Sequence, residues 1–264
     1  MDLEKYDLQR MYKIYDEWPE IARNTWESDL EIIHFDDLNH IVFAGMGGSG
    51  AIGEIFASIL SKSKIHVSVV NGYHLPSTVD SNTLVIPISV SGNTDETLTI
   101  LESANLLKCK IVAFAAGGQI QEYCIKNNIK FQQISQDHSP RGSFVRYLYS
   151  ILKILQSTLK IKSSDVNESI KILENMKKNI SSQNLTNSNS AISLAKWISG
   201  IPVIYYPWGL QSAAIRFKNS LNENGKIHII NEDIVKATHN DIVAWMKKSD
   251  VTPIIISGPD DYYK

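Results

Sequence analysis

A glycine-rich segment between an apolar run and a helical stretch is the feature that most restricts the fold of this chain. The apolar run covers residues 40–44, and the helical stretch covers residues 51–60. Between them lies the segment Gly45-Met46-Gly47-Gly48-Ser49-Gly50, called the glycine loop below. Further apolar runs alternate with helical stretches, at residues 65–70, 83–89, 110–115 and 130–134. Strands that are apolar throughout and alternate with helices are typical of a parallel sheet covered on both faces.

The second half of the chain repeats this scheme more briefly. A chain of 264 residues has the length of about two domains. We therefore predict an α/β fold of two doubly wound domains with mainly parallel sheets, residues 1–160 and 161–264. The second domain is expected to be short at its C-terminus, because no covering helix follows its last strand. The remaining predicted strands are residues 201–206, 228–230 and 252–257, and the remaining helices are residues 7–26, 95–107, 144–159, 209–221 and 241–248.

Charge and composition exclude several classes of protein. The chain has 26 Lys and Arg against 28 Asp and Glu, so it lacks the basic surplus that nucleic-acid binding requires. No apolar run reaches the length of about 20 residues that a membrane span needs. The charged N-terminus lacks the apolar block of a signal peptide, and two cysteines form neither a disulfide framework nor a zinc site. We expect a cytoplasmic protein that binds neither nucleic acid nor membranes.

The glycine loop is best interpreted as an anion site. It matches the Gly-x-Gly-x-x-Gly pattern of dinucleotide-binding proteins in the right strand-to-helix context. However, no acidic residue lies between Glu54 and Asp80, where such proteins hold the ribose. No Lys follows the glycines either, which excludes a Walker loop. Backbone N–H groups and the Ser49 hydroxyl at a helix N-terminus remain, and these suit an anion. A glycine turn that only packs the helix on the strand is the alternative.

A second loop at the end of the third strand supplies hydroxyl groups. Ser89, Ser91 and Thr94 lie just before a predicted helix, and Thr94 is placed to cap it. A plain helix cap would need one hydroxyl, whereas three can hold a phosphate monoester by hydrogen bonds. In an open α/β sheet, ligands bind at this edge. Together the two loops predict a phosphate site formed by Gly47, Gly48, Ser49, Ser89, Ser91 and Thr94.

These two loops resemble the sugar isomerase (SIS) domain, which binds phosphosugars. Four further segments narrow the resemblance to the archaeal-type bifunctional phosphoglucose/phosphomannose isomerases, over about residues 20–257. They are Ser139-Pro140-Arg141, Gly200-Ile201-Pro202-Val203-Ile204-Tyr205, the run from Arg216 through Glu223 to Lys226, and His239-Asn240-Asp241-Ile242-Val243-Ala244-Trp245.

The resemblance implies a reaction and a set of residues. It implies two SIS-type domains and interconversion of glucose 6-phosphate and mannose 6-phosphate with fructose 6-phosphate through an enediolate. By the same resemblance, Glu223 is the base, His239 opens the sugar ring and Arg141 steadies the enediolate. No metal or other cofactor is implied. A homodimer is implied, in which His239 reaches the neighbouring subunit's site. Taken singly, each residue also has a plain interpretation: an exposed turn, a solvent-facing histidine or a surface arginine.

The sequence departs from the family pattern in two places. Ala115-Ala116-Gly117-Gly118 replaces a more usual Ser-Gly-Gly, which removes one hydroxyl from the rim of the site. Family members also continue beyond this length and contribute a Lys near their C-terminus to the site. Lys264 comes too early in the sequence to correspond to that Lys. The alternatives are a non-catalytic phosphosugar-binding SIS protein and an isomerase of another phosphosugar. An amino-sugar-forming SIS transferase would need a glutaminase domain, for which 264 residues leave no room.

Overall fold

A five-stranded parallel sheet forms the centre of the first half. The computed structural model describes residues 3–258; Lys264 lies outside them. The strand order is β2-β1-β3-β4-β5 and every neighbouring pair is parallel, which confirms the predicted parallel α/β fold. The strands are β1 (His40–Ala44), β2 (His66–Val70), β3 (Thr83–Ser89), β4 (Lys110–Ala115) and β5 (Lys130–Gln133).

Helices cover both faces of this sheet because successive side chains of a buried strand point to opposite sides. The helices are α1 (Met11–Glu27), α2 (Gly47–Leu60), α3 (Asp95–Leu106), α4 (Gly118–Lys126), α5 (Phe144–Ile154), α6 (Ser163–Ile180), α7 (Ser190–Trp197), α8 (Gln211–Ser220) and α9 (Ile234–Ala244). Ile41 and Phe43 of β1 pack in one cluster with α1, α2, α5 and α6. Val42 and Ala44 pack in the other cluster with α3 and α4.

A smaller parallel sheet of three strands lies in the second half. Its order is β7-β6-β8, with β6 (Ile201–Tyr206) between β7 (Ile230–Asp233) and β8 (Val251–Ile255). Helix α8 packs on one face of this sheet and α9 on the other. Helix α8 also contacts α2, so it joins the two halves. The division at residues 160 and 161 stays a prediction.

Two predicted helix boundaries in the second half are wrong. The helix predicted at residues 241–248 is α9, which begins at Ile234 because the Asp233 side chain accepts a hydrogen bond from the Lys236 backbone N–H at 3.0 Å. His239 therefore lies inside a helix and does not precede one. The helix predicted at residues 209–221 is α8, which ends at Ser220 and continues as a π-helical turn, Leu221–Gly225.

Smaller differences affect the ends of several other elements, including helix α1, which begins at Met11 and not at residue 7. Helix α2 begins at Gly47 and not at residue 51, so most of the glycine loop is the first turn of the helix. Helix α5 ends at Ile154, short of residue 159. Strand β7 runs from Ile230 to Asp233, later than the predicted 228–230. Among residues 3–258, none of the helices combines the length and the apolarity that crossing a bilayer requires.

Candidate functional site

The glycine loop and the hydroxyl loop (residues 89–94) lie side by side at one edge of the first sheet. They follow β1 and β3, which are adjacent and paired from His40 with Thr83 to Ala44 with Pro87. The helices that follow these strands, α2 and α3, leave to opposite faces of the sheet. The chain adds β2 on one side of β1 and then β3 on the other side, so the direction of strand addition reverses between β1 and β3. In open α/β sheets such a reversal leaves a crevice at the carboxyl ends of the strands.

The first turn of α2 presents backbone N–H groups to this crevice. Met46 precedes the helix and makes no side-chain cap hydrogen bond. A Cβ atom built on Gly47 or Gly48 would meet nothing within 4 Å, whereas one on Gly50 would overlap the Asn71 side chain. The glycines thus serve two purposes: Gly50 permits close packing on β2, and Gly47 and Gly48 leave the helix N-terminus open. An open N-terminus of this kind suits an anion.

The hydroxyl loop is held by its own side chains. Ser89 Oγ lies 2.8 Å from Thr94 Oγ1 and accepts a hydrogen bond from the Gly92 backbone N–H at 3.1 Å. Thr94 occupies the N-cap position of α3, but its side chain makes no cap hydrogen bond. The predicted capping is wrong in this respect, because the Thr94 hydroxyl pairs with Ser89. Ser91 Oγ accepts from the Asn93 backbone N–H at 3.3 Å.

A contact between two glycines fixes the hydroxyl loop against the segment after β4, and sequence analysis missed it. Gly92 has a φ of +71°, and a Cβ atom there would overlap the Gly117 carbonyl. Asn93 strengthens the contact, because its Oδ1 accepts a hydrogen bond from the Gln119 backbone N–H at 3.1 Å. The Gly117-Gly118 pair was the available signal, since adjacent glycines after a strand favour a close backbone approach.

Arg141 and Glu223 come together from the two halves of the chain. Arg141 Nη1 lies 3.6 Å from Glu223 Oε2, and the side chains are 29% and 38% exposed. The Arg141 loop follows β5, so it leaves the same edge of the sheet as the glycine and hydroxyl loops. Asp137 anchors this loop through two hydrogen bonds of 2.7 Å from Arg146. Glu223 lies in the π-helical turn after α8.

The first helix supports both members of this pair. Trp18 Nε1 donates a hydrogen bond to the Gly142 carbonyl at 3.0 Å, next to Arg141. Tyr15 accepts a hydrogen bond at its hydroxyl from Asn224 Nδ2 at 2.8 Å, next to Glu223. Helix α1 therefore contacts the residues that flank the pair. The aromatic residues stand at helical spacing in the sequence, which indicated burial but not this contact.

His239 is not brought to the Arg141 and Glu223 pair within this chain. It is exposed on α9, and in the described part of the chain no hydrogen bond or ion pair joins it to either residue. It lies among exposed apolar side chains at helical spacing, Val235, Ile242 and Val243. Of the nine predicted site residues, seven lie at or after the carboxyl ends of strands of the first sheet, and Glu223 contacts one of them, Arg141. Within residues 3–258, no His, Cys, Asp and Glu side chains gather in a metal-binding arrangement.

Comparison with known families identifies the class of protein. The SIS domain family matches residues 34–151, the part that carries both loops. The family described as the bacterial phospho-glucose isomerase C-terminal SIS domain matches residues 187–264. The protein is therefore an SIS-domain protein.

Curated relatives identify the family within that class. A bifunctional phosphoglucose/phosphomannose isomerase of Thermoplasma acidophilum is 34% identical over 77% of this chain and 61% of its own length. One of Caldicellulosiruptor bescii is 30% identical over 85% of this chain and 69% of its own length. A D-glucosamine-6-phosphate 4-epimerase of Sulfolobus acidocaldarius is 27% identical over 93% and 77%. The chain belongs to the family of bifunctional phosphoglucose/phosphomannose isomerases, and it spans 61% of the first of these relatives.

Proposed function

We propose that this protein interconverts glucose 6-phosphate and mannose 6-phosphate with fructose 6-phosphate. The observation that carries the proposal is the Arg141 guanidinium facing the Glu223 carboxylate at 3.6 Å. An aldose–ketose isomerase needs a carboxylate base and a cation near the oxygen that becomes negative. Arg141 follows β5, whose carboxyl end lies at the same edge of the sheet as those of β1 and β3, and the family relationship supports the same reaction.

The phosphate of the sugar is proposed to bind between the glycine and hydroxyl loops. Its oxygens would accept hydrogen bonds from the backbone N–H groups of Gly47 and Gly48 and from the hydroxyl groups of Ser49, Ser89, Ser91 and Thr94. Phosphate binding supplies orientation, because it fixes one end of an extended open-chain sugar. The reacting carbons at the other end then reach toward the Arg141 and Glu223 pair.

Proton transfer follows from the chemistry of this pair. The Glu223 carboxylate removes the proton from C2 of the open-chain aldose, and the electrons move onto the C1 oxygen to give an enediolate. The Arg141 guanidinium stabilises the negative charge on the oxygens. The proton of the C2 hydroxyl passes to the C1 oxygen, and return of the carbon-bound proton from Glu223 to C1 then gives the ketose. C1 is reduced as C2 is oxidised within the same sugar, so the reaction needs no external oxidant or reductant.

His239 is proposed to open the sugar ring in the site of a second copy of the chain. In its own chain it is exposed, and exposed Val235, Ile242 and Val243 surround it. An apolar helix face of this kind is typical of an interface, and a symmetric dimer would carry each His239 to its partner. We propose that the protein is a homodimer and that it is cytoplasmic. The two unpaired cysteines are consistent with that location.

Two alternatives share the same phosphate site. A non-catalytic phosphosugar-binding protein would bind hexose phosphates without turnover. An enzyme for another phosphosugar would leave glucose 6-phosphate unchanged. Because one relative is a D-glucosamine-6-phosphate 4-epimerase, glucosamine 6-phosphate is the other substrate to test.

A coupled assay tests the proposed reaction directly. With chelator present, the protein should convert both glucose 6-phosphate and mannose 6-phosphate to fructose 6-phosphate. Glu223→Gln should lower kcat by about 10³-fold, because an amide cannot accept the proton. Glu232→Gln, a carboxylate paired with Lys236 on the surface, is the control and should stay within about twofold. Binding of fructose 6-phosphate without turnover of any hexose phosphate would contradict the proposal.

Gly48→Ala tests the phosphate site without disturbing the protein. An added methyl group meets nothing within 4 Å, and alanine favours a helix over glycine, so the melting temperature should stay equal or rise. The methyl group would nevertheless stand where the phosphate approaches the backbone, and inorganic phosphate should bind at least about tenfold more weakly. Gly72→Ala, also unobstructed, is the control. Equal phosphate affinity in both variants, measured by calorimetry, would place the phosphate elsewhere.

Subunit complementation tests the role of His239. Glu223→Gln and His239→Ala should each be inactive alone. In a mixed dimer, however, one site combines the intact glutamate of one subunit with the intact histidine of the other. Co-expression with two different tags should therefore restore about one quarter of the wild-type activity for random pairing. Complete absence of restored activity in purified mixed dimers would show that His239 acts within its own subunit.

A further inference from the structure

Arg216 is a partly buried cation beside the proposed catalytic pair, and the proposed reaction does not use it. It lies on α8, with its guanidinium carbon 4.5 Å from the centre of the Phe144 ring and 5.6 Å from that of Trp18. Its Nη2 donates a hydrogen bond to the Arg141 carbonyl at 3.1 Å. A side chain of the second half is therefore enclosed by aromatic residues of the first half and bonded to its backbone.

This arrangement is costly for a charged group. Nε and Nη1 of Arg216 are buried and have no hydrogen-bond partner in the part of the chain that the structure describes. Burial lowers the pKa of Arg216 from its ordinary value, while nearby Tyr15 and Glu223 oppose the shift. An apolar side chain of similar length would fill the space at lower cost. The guanidinium supplies what an apolar group cannot: a hydrogen bond to Arg141 and a positive charge near Glu223.

Arg141 is thereby held at two points by one continuous segment. Arg216 lies on α8 and Glu223 on its π-helical extension. Arg216 binds the backbone of Arg141, and Glu223 meets its side chain. On the other side, Trp18 binds the carbonyl of the next residue, Gly142.

We propose that Arg216 is a positioning residue, which sets the distance between the Arg141 guanidinium and the Glu223 carboxylate by binding the Arg141 carbonyl. The expected effect on catalysis rests on the proposed function. The hydrogen bond from Arg216 to the Arg141 carbonyl, called the clamp below, is a property of the structure itself. Arg216 acts through Arg141 and needs no contact with the sugar. Substrate binding through the phosphate is separate, because both phosphate loops belong to other segments.

Three variants test the catalytic consequence. Arg216→Met keeps an unbranched apolar stem but removes the guanidinium, and with it the donor and the charge. It should lower kcat about 100-fold with KM within about twofold, since a displacement of about 1 Å costs that much in rate. Arg216→Lys keeps a donor and should recover kcat to within about tenfold of wild type. Arg23→Met removes an ion pair with Glu174 between α1 and α6 and should leave kcat unchanged.

Hydrogen exchange tests the clamp without relying on activity. In Arg216→Met, amides of residues 139–143 and 221–225 should exchange faster than in wild type and in Arg23→Met, while those of β1 and β3 stay unchanged. A kcat equal to wild type in Arg216→Met, or unchanged exchange in both segments, would overturn the inference. If wild type converts no hexose phosphate, the proposed function fails. The exchange comparison then decides on the clamp alone.

Discussion

The parallel pairing of β1 with β3 is the constraint on which the site depends. Their adjacency puts the glycine loop beside the hydroxyl loop, and the reversal of strand order there sends α2 and α3 to opposite faces. Such a reversal point borders a crevice at the carboxyl ends of the strands, where we propose that the phosphate binds. Buried apolar side chains on both faces of the two strands hold this register, since a shift by one residue would exchange the two faces.

The second half completes the site through α8. This helix packs against α2, and its π-helical extension carries Glu223 toward Arg141. The contact is polar and only half-buried at the pair itself, so the position of Glu223 depends on groups around it. Arg216 and Asn224 tie the segment to the Arg141 loop and to α1. The groups that we propose to react therefore depend on contacts between distant parts of the chain.

Sequence analysis predicted the buried strands and the loops best. The predicted bounds of β1, β3, β4 and β6 agree with the structure to the residue. An apolar run between turn residues can be recognised from the neighbouring sequence alone. The start of helix α9 was predicted too far along the sequence. A single Asp at position 233 is a weak signal for a helix start, and residues 241–248 are more apolar. The π-helical turn and the burial of Arg216 could not be predicted, since both arise from packing between segments far apart in sequence. The roles of Arg141, Glu223 and His239 came from family resemblance, and geometry supports only the pairing of the first two.

Isotope exchange during turnover is the most direct test of the reaction. Fructose 6-phosphate incubated with the protein in D₂O should give glucose 6-phosphate and mannose 6-phosphate that carry deuterium at C2, measured by proton NMR. A carboxylate base that exchanges its proton with solvent during the enediolate's lifetime predicts this label. Product still without deuterium after many reversals of the reaction would indicate a direct 1,2-hydride shift, because a base that exchanges even a small part of its protons would have introduced the label by then. Recovered fructose 6-phosphate with no product and no label at C1 would contradict the assignment of Glu223 and Arg141 as an isomerase site.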